Sequence, residues 1–507
     1  MRHSFFLYIG AGAAVVLLLL EVRNGMRDDH YQMVAERGQS VADHAGEFIE
    51  KIRNSILSIG TDDMFGPYDM EQYKLPDGSL TGNEMFVWYA FYDLRDPEGP
   101  RIRLLANTVC KDLKKEDVVV EVNPETSLAL DWIEVLGSAG CSGGGGGHCR
   151  LQETDLSTVV YRGTVPDEIT VIRKGQRAKM KLHMMPDNYK DQINSCIIAP
   201  LFWYNDWPRL FIFLEWWKRN KINKILLHVH SISAPTKKII DYYVEQGLVE
   251  VRPFPLMPYT AQYDPNNHVY YSAEHMTTFF CAVWSDTKYT TMNDVDEIFH
   301  VRNRSETLLD VARRQMDPIK YPDVGAIWLE HNGLGFPGGI APDPWDFDKF
   351  RKMGFVKQAH PFGQGRAGKY LYQTQYAKLP WIHGMRIFYA NKRSEMIPRE
   401  QAIYLHMRNE MTNIATMPRL YPDFKLFEDD AAAEMGLILG EIFSDGAPSF
   451  KFKETMPVVE NCIHRALVEI PGQDCIKPTG PTCYAALKDL DDWVYAKPIE
   501  DSKYTVV

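Results

Sequence analysis

Hydrophobic positions along this chain follow two different rhythms, and the change between them divides it. From about Met64 to Met185 the apolar residues come in short β-prone runs, Met85 to Tyr92, Ile102 to Ala106, Asp117 to Val122 and Thr158 to Tyr161, parted by Pro, Gly and Asp turns. They predict a small β-rich domain over residues 64–190. From Ser195 the pattern becomes a strand and helix alternation. Cys196 to Phe202 reads as an apolar strand; Asp206 caps a helix entered through Trp207 and Pro208, with Leu210, Leu214 and Trp217 on one face and Lys218 and Arg219 at its end. Lys224 to Val229 is a second strand. Ser233 and Pro235 open a second helix carrying Ile239, Ile240, Tyr243 and Val244, Gly247 closes it, and Leu248 to Val251 starts a third strand. This order predicts an α/β domain over residues 191–445 with a parallel sheet. Ligands of such sheets bind at the carboxyl ends of the strands, a rim that holds Tyr204, His230, Ser231 and the later pair Asp294 and Asp296. A helical stretch, Asp429 to Phe443, precedes a cysteine-containing extension over residues 446–507, whose acidic Asp489 to Trp493 reads as surface or helix-end chemistry.

The N-terminus has its own pattern. Phe5 to Leu20 is uncharged and apolar, slightly short of the ~20 residues of a spanning helix. A cleaved signal peptide is one reading, but Glu21, Val22, Arg23 and Asn24 stand where small residues would be needed for cleavage. An uncleaved signal anchor over residues 1–26, followed by a polar stem over residues 27–63, fits better. Arg2 before the segment and Arg23 and Arg27 after it leave the orientation open. Eight cysteines behind such a segment suit an oxidising lumen; Cys141 and Cys149 flank a glycine run, and Cys196 and Cys281, in apolar contexts, read as buried thiols. Asn303, Arg304 and Ser305 form a glycosylation sequon that a lumenal body would expose.

Composition narrows the chemistry. With 507 residues, 45% of them hydrophobic, the chain can bury more than one core, and a formal charge of -11 argues against nucleic acid as a partner. The stretch Lys288 to Val301 runs from β-prone residues into Asp294, Asp296 and Glu297. Two carboxylates two residues apart on a strand share a face and can hold one hard divalent cation, although an isolated pair of this kind is more often a charged turn. No G-x-G-x-x-G follows the first strand and no P-loop lysine is present, so a metal-bound nucleotide diphosphate is the ligand that remains.

The segments Ile197 to Arg219 (IIAPLFWYNDWPRLFIFLEWWKR), Lys224 to Val251, Asp294 to Phe299 (DVDEIF), the Trp328 segment, Gly368 to Gln373 (GKYLYQ), Trp381 to Gly384 (WIHG) and Leu405 to Arg408 (LHMR) resemble, in that order, glycosyltransferase family 92. The resemblance implies a GT-A (Rossmann-like) nucleotide-sugar-binding domain. It also implies Mn2+ or another divalent cation, inverting transfer of a hexose, typically galactose from UDP-galactose, to a glycan or glycoprotein acceptor, and a single-pass type II Golgi membrane protein with a lumenal catalytic domain. Residue by residue it gives Asp294 and Asp296 the metal, with Glu297 as a further ligand or a brace for Asp296. His383 and His406 both match family histidines, either able to complete the metal site, and Lys369 matches a lysine that can meet a phosphate. Pro200 and Tyr204 fall near the base or ribose, with His230 and Ser231 on the same rim, and Glu215 caps or braces. Glu330, after the apolar strand Val324 to Leu329, is the candidate general base. The chain departs from the family pattern at Trp328 to Gly335 (WLEHNGLG) and at Met407, which opens a second reading, a catalytically silent, membrane-tethered glycan-binding relative. A glycoside hydrolase with two carboxylates is the third and weakest. The Gly- and Pro-rich His331 to Asp346 reads as an acceptor-binding lid loop.

Overall fold

Seven strands of the N-terminal half pair in a closed ring in the computed structural model, which describes residues 61–109, 113–136, 150–269, 273–336, 346–351, 360–366, 368–408, 424–468, 481–499 and 503–507. Around the ring run Phe86–Asp93, Arg101–Val109, Leu151–Thr158, Thr126–Val135, Val118–Asn123, Glu168–Arg173 and Gln176–Met184, and the last returns to the first by pairing Ala90 with Leu182 and Tyr92 with Met184. Ile102, Leu104 and Ala106 fill the interior with Val118, Val120, Leu156, Val171 and Leu182. The alternate residues of Arg101–Val109 face outward, yet they too are buried, because the α/β half covers that side; Leu105 packs there against Met276, Phe279 and Phe280. Strands away from the covered side alternate instead, as Glu168–Arg173 does.

Double-sided burial explains one misplaced element. The run Thr158 to Tyr161 is not a strand; the strand is Leu151–Thr158, whose Gln152, Glu153, Thr154 and Asp155 are all buried. Polar residues buried on both faces hide the apolar alternation that marks a strand.

Glu153 has an energetic consequence. It is fully buried beside the first turn of the helix Glu274–Trp284. Burial, opposed by backbone N–H groups including that of His275 and reinforced by Glu274, pushes its carboxyl up to about 8. An unfolded glutamate releases its proton near pH ~4.3. Between those values the folded state therefore binds more protons than the unfolded one, and stability falls as pH rises, by up to about 1.4 kcal/mol per pH unit. Glu153→Gln should flatten this slope, raising the unfolding midpoint over wild type at pH 8 but not at pH 4; parallel melting profiles from pH 4 to 8 would refute it.

In the α/β half, β1 (Lys190–Ile197), α1 (Trp207–Arg219), β2 (Lys224–Val229), α2 (Ala234–Glu245) and β3 (Val249–Pro253) alternate as the capping residues predict. The Asp206 carboxylate accepts from the Arg209 N–H at 3.4 Å, the Ser233 hydroxyl from the Thr236 N–H at 3.4 Å, and Gly247 ends α2 at φ 71°, where a side chain would be strained. Then follow α3 (Glu274–Trp284), β4 (Thr287–Asn293), β5 (Glu297–Val301), β6 (Val324–Trp328), β7 (His331–Gly335), β8 (Tyr370–Gln373), β9 (Arg393–Met396) and β10 (Ala402–Arg408). The main sheet has the order β3-β2-β1-β4-β8-β6-β9, parallel from β3 to β4, with β8 antiparallel to both neighbours. Its first strand begins at Lys190 and stops at Ile197, earlier at both ends than the apolar run from Cys196 to Phe202; the polar start pairs with Thr287, and Leu201 only bridges to Val229. A smaller sheet, β5-β10-β7 and His360–Arg366, was not foreseen. It includes His331–Gly335, expected as loop, because a glycine-rich segment lacks strand propensity and is held here by pairing on both sides. Residues 337–345 of that expected lid lie outside the described residues.

Cys196 and Cys281, expected as thiols, form a disulfide between β1 and α3, and Cys462 pairs with Cys483. Cys141 and Cys149 lie outside the described residues, as do the expected anchor and the stem up to residue 60. Among the described residues no helix is long and apolar enough to cross a membrane. Met64–Val507 makes up one unit, and its C-terminal part returns to both halves: Trp493–Ala496 pairs with Ser231–Ser233, and Thr505–Val506 with Phe86 and Val87. Asp491, expected at the surface, is 7% exposed and accepts from Asn205 Nδ2 at 2.9 Å.

Candidate active site

The acidic residues stand in the turn between β4 and β5, beyond the end of the strand. β4 closes at Asn293, whose Nδ2 bonds to Ser195 Oγ at 2.9 Å; Val295 and Asp296 make the turn, and Glu297 opens β5. The two aspartates consequently face different partners. Asp294 Oδ2 lies 3.1 Å from Lys369 Nζ, while Asp296 Oδ2 lies 2.9 Å from His406 Nε2 and 3.1 Å from Arg209 Nη1. Glu297 links them: its Oε2 accepts from the Asp294 N–H at 2.6 Å and from Lys369 at 3.2 Å, and its Oε1 is 3.9 Å from His406 Nδ1.

The small sheet makes this convergence. Pairing of β5 with β10 sets Glu297 opposite His406, and the Met407 N–H donates to the Asp296 carbonyl at 2.7 Å. Lys369 arrives just before β8 through a close approach at Gly368, where a Cβ would stand 1.8 Å from the Leu329 carbonyl oxygen. Its side chain is 1% exposed; burial opposes the charge, yet Asp294 and Glu297 hold its pKa above the usual lysine range. Burial raises the Glu297 carboxyl well above the glutamate range, opposed by Lys369 and reinforced by Asp294 and Asp296.

Asp296, Glu297 and His406 offer ligand atoms within 4.8 Å of one another. Two carboxylates and an imidazole suit a divalent cation of the manganese type. This grouping differs from the expected one. Asp294 is turned to Lys369, and His383, exposed, has its Nδ1 3.4 Å from the Gly368 carbonyl, so of the two histidines it is His406 that meets a carboxylate of the pair.

The remaining expected residues are spread along the rim. Tyr204 donates its hydroxyl to the Asp206 carbonyl at 2.9 Å; burial, then Asp206, raises its pKa well above the usual value, with Arg209 opposing and Asp296 adding, so it shares the surroundings of the acidic turn. Pro200 is buried. His230 and Ser231 are enclosed by the C-terminal strand: Ser231 Oγ accepts from the Trp203 N–H at 2.7 Å and meets His230 Nδ1 at 3.1 Å, and burial alone lowers the His230 pKa to about 3. Glu215 braces α1 and α2, accepting from the Tyr243 hydroxyl at 2.6 Å. The Glu330 carboxylate faces Arg399 at 3.8 Å, and its carbonyl accepts the Tyr404 N–H. Asn303 is exposed, with its Oδ1 2.8 Å from Ser305 Oγ.

Two members of the cluster escaped sequence reasoning. Arg209 lies in the first turn of α1, where a cation opposes the helix dipole, and that mismatch was its available signal. His331 lies where the chain departs from the family pattern, and its Nε2 is 3.2 Å from His406 Nδ1.

Residues 192–435, just under half of the chain and including every member of the cluster, match the model of Glycosyltransferase family 92. Comparison with curated proteins finds no match. Among solved structures the chain is similar to a mannosyltransferase, PcManGT from Pyrobaculum calidifontis, in complex with GDP-Man and Mn2+, at 10% identity over 56% of this chain and 83% of that one, with a TM-score of 0.25. At that score the likeness decides nothing about donor or metal here.

Proposed function

We propose that this chain, whose residues 192–435 carry a glycosyltransferase family 92 domain, is a metal-dependent inverting hexosyltransferase that uses a UDP-sugar, with UDP-galactose the foremost donor. The observation that carries the reading is the meeting of Asp296, Glu297 and His406 beside Lys369 at the carboxyl end of β4. A divalent cation bound there supplies charge to a leaving diphosphate. The chain's own residues do the rest. Asp296, Glu297 and His406 would hold the cation, and Lys369, already buried as a cation, would face a phosphate once Asp294 releases it. Tyr204, and Pro200 before it, would bound the nucleoside. Glu330 would take the proton of the acceptor hydroxyl as that oxygen bonds to the anomeric carbon; the bond from this carbon to the diphosphate breaks on the opposite face, and its electron pair leaves with UDP.

A GT-A domain behind a type II Golgi anchor at residues 1–26 is part of the same reading. Two disulfides among the described residues and the exposed Asn303 sequon suit a lumenal body. The test incubates the full chain with a panel of UDP-sugars and glycan acceptors, with and without Mn2+. Transfer from one donor, dependent on the metal and inverted at the anomeric carbon, is expected, and Glu330→Gln should lower kcat by roughly 10²- to 10⁴-fold. Folded protein that binds glycans yet turns over no donor would instead identify the silent relative.

A further inference from the structure

The pairing that sets Glu297 on one side of His406 sets Gly333 on the other, and places His331 opposite Tyr404. His331, Gly333, Tyr404 and His406 therefore share a face of the small sheet. Gly333 carries no side chain, and the His331 imidazole reaches across it to His406. Its Nε2 is 3.2 Å from His406 Nδ1, with ring centroids 5.4 Å apart and planes at 60°. The other nitrogen of His406 is the one beside Asp296 Oδ2.

A histidine that holds a cation through one ring nitrogen carries its hydrogen on the other, and the acceptor of that hydrogen fixes the ring. At His406 the group in that place is His331. We propose that His331 is the positioning residue for His406, orienting the ring so that Nε2 can join Asp296 and Glu297 on a divalent cation. The proposal rests on the metal-dependent reading above. An imidazole partner suits the task better than a carbonyl, because it accepts from an Nδ1–H in one tautomer and donates to a bare Nδ1 in the other. His406 thus keeps its bond to His331 both when Nε2 donates to Asp296 and when Nε2 faces a cation. The ring need not turn when the cation arrives.

Mn2+ is the probe, titrated into the full chain with and without UDP and followed by the electron paramagnetic resonance of free Mn2+ and by the nitrogen coupling of bound Mn2+. His331→Leu should weaken Mn2+ binding ~10- to 100-fold and alter the nitrogen coupling, while His331→Gln, which retains an acceptor, stays within about threefold of wild type. Binding equal to wild type in both variants, with binding lost in Asp296→Asn, would overturn the role of His331 and leave the metal site standing. Equal weakening in both, with the nitrogen coupling unchanged, would mark mere packing and also overturn it. Absence of Mn2+ binding by wild type, or wild-type binding by Asp296→Asn, would remove the metal reading and this proposal with it.

Discussion

On the metal-dependent reading, Asp296→Asn is expected to lower kcat for sugar transfer by roughly 10²- to 10³-fold, because the carboxylate that would hold the cation against the departing diphosphate loses its charge. Asp296 carries this weight because three groups meet at it. Its Oδ2 faces His406 and Arg209, and its carbonyl receives the Met407 N–H, so its position is set by both β10 and α1. An asparagine keeps that shape and removes the charge. The effect should therefore appear in kcat and in Mn2+ dependence while the unfolding midpoint moves little. Asp294→Asn should read differently. It frees Lys369 from one of its two carboxylates and leaves the Asp296, Glu297 and His406 grouping in place, so its larger effect is expected on KM for the donor. Full activity in Asp296→Asn at saturating donor would remove the site from the catalytic account.

Arg103→Met is expected to destabilise the folded chain by about 3–5 kcal/mol, because it strips a buried carboxylate of its counterion. Arg103 is 1% exposed on the outer side of the ring of strands. Its Nε bonds to Asp155 Oδ1 at 3.1 Å, Nη1 to Asp93 Oδ2 at 3.1 Å and to the Tyr389 hydroxyl at 3.2 Å, and Nη2 to the Lys378 carbonyl at 3.1 Å, with the guanidinium 4.3 Å from the centre of the Phe279 ring. Asp93 keeps Arg95 as a second partner, and burial notwithstanding, Arg95 and Arg103 hold its pKa well below the carboxylate range. Among the described residues Asp155 has Arg103 as its one cationic partner, so the double replacement Arg103→Met with Asp155→Leu should recover most of the loss. A midpoint unchanged in Arg103→Met would show that the pair contributes nothing net. Arg95 and Arg103 also hold Thr374, Lys378 and Tyr389, so the ring of strands fixes the segment that follows β8 and bears His383.

The crossovers of the α/β half were legible because local chemistry marks them: Asp206 and Pro208 for α1, Ser233 and Pro235 for α2, Gly247 for its end. The acidic turn was legible as a place but not as a geometry. Asp294 and Asp296 were read as neighbours on a strand, whereas β4 ends one residue earlier and a turn sends them to different partners. That His406 meets Asp296 follows from the pairing of β5 with β10, more than a hundred residues apart in the chain, which no local period encodes. Leu151–Thr158 escapes a reading by period because its polar residues are buried on both faces, and the union of Cys196 with Cys281 because the contact of β1 with α3 is tertiary. Propensity reports what a segment prefers alone, and these segments are decided by what covers them.

The pairing of Thr505–Val506 with Phe86 and Val87, continued by Met85 and Val507 exchanging backbone bonds at 2.8 and 2.9 Å, sets a timetable for the chain as it is made. A ribosome adding ~5–20 residues per second needs roughly 20–80 s to travel from Phe86 to Thr505. Through that interval the end of the Phe86–Asp93 strand offers unmet N–H and C=O groups beside Trp88 and Tyr89, which is the kind of edge that invites a neighbouring nascent chain. The ring of strands therefore gains its last edge bonds only after the α/β half has been made.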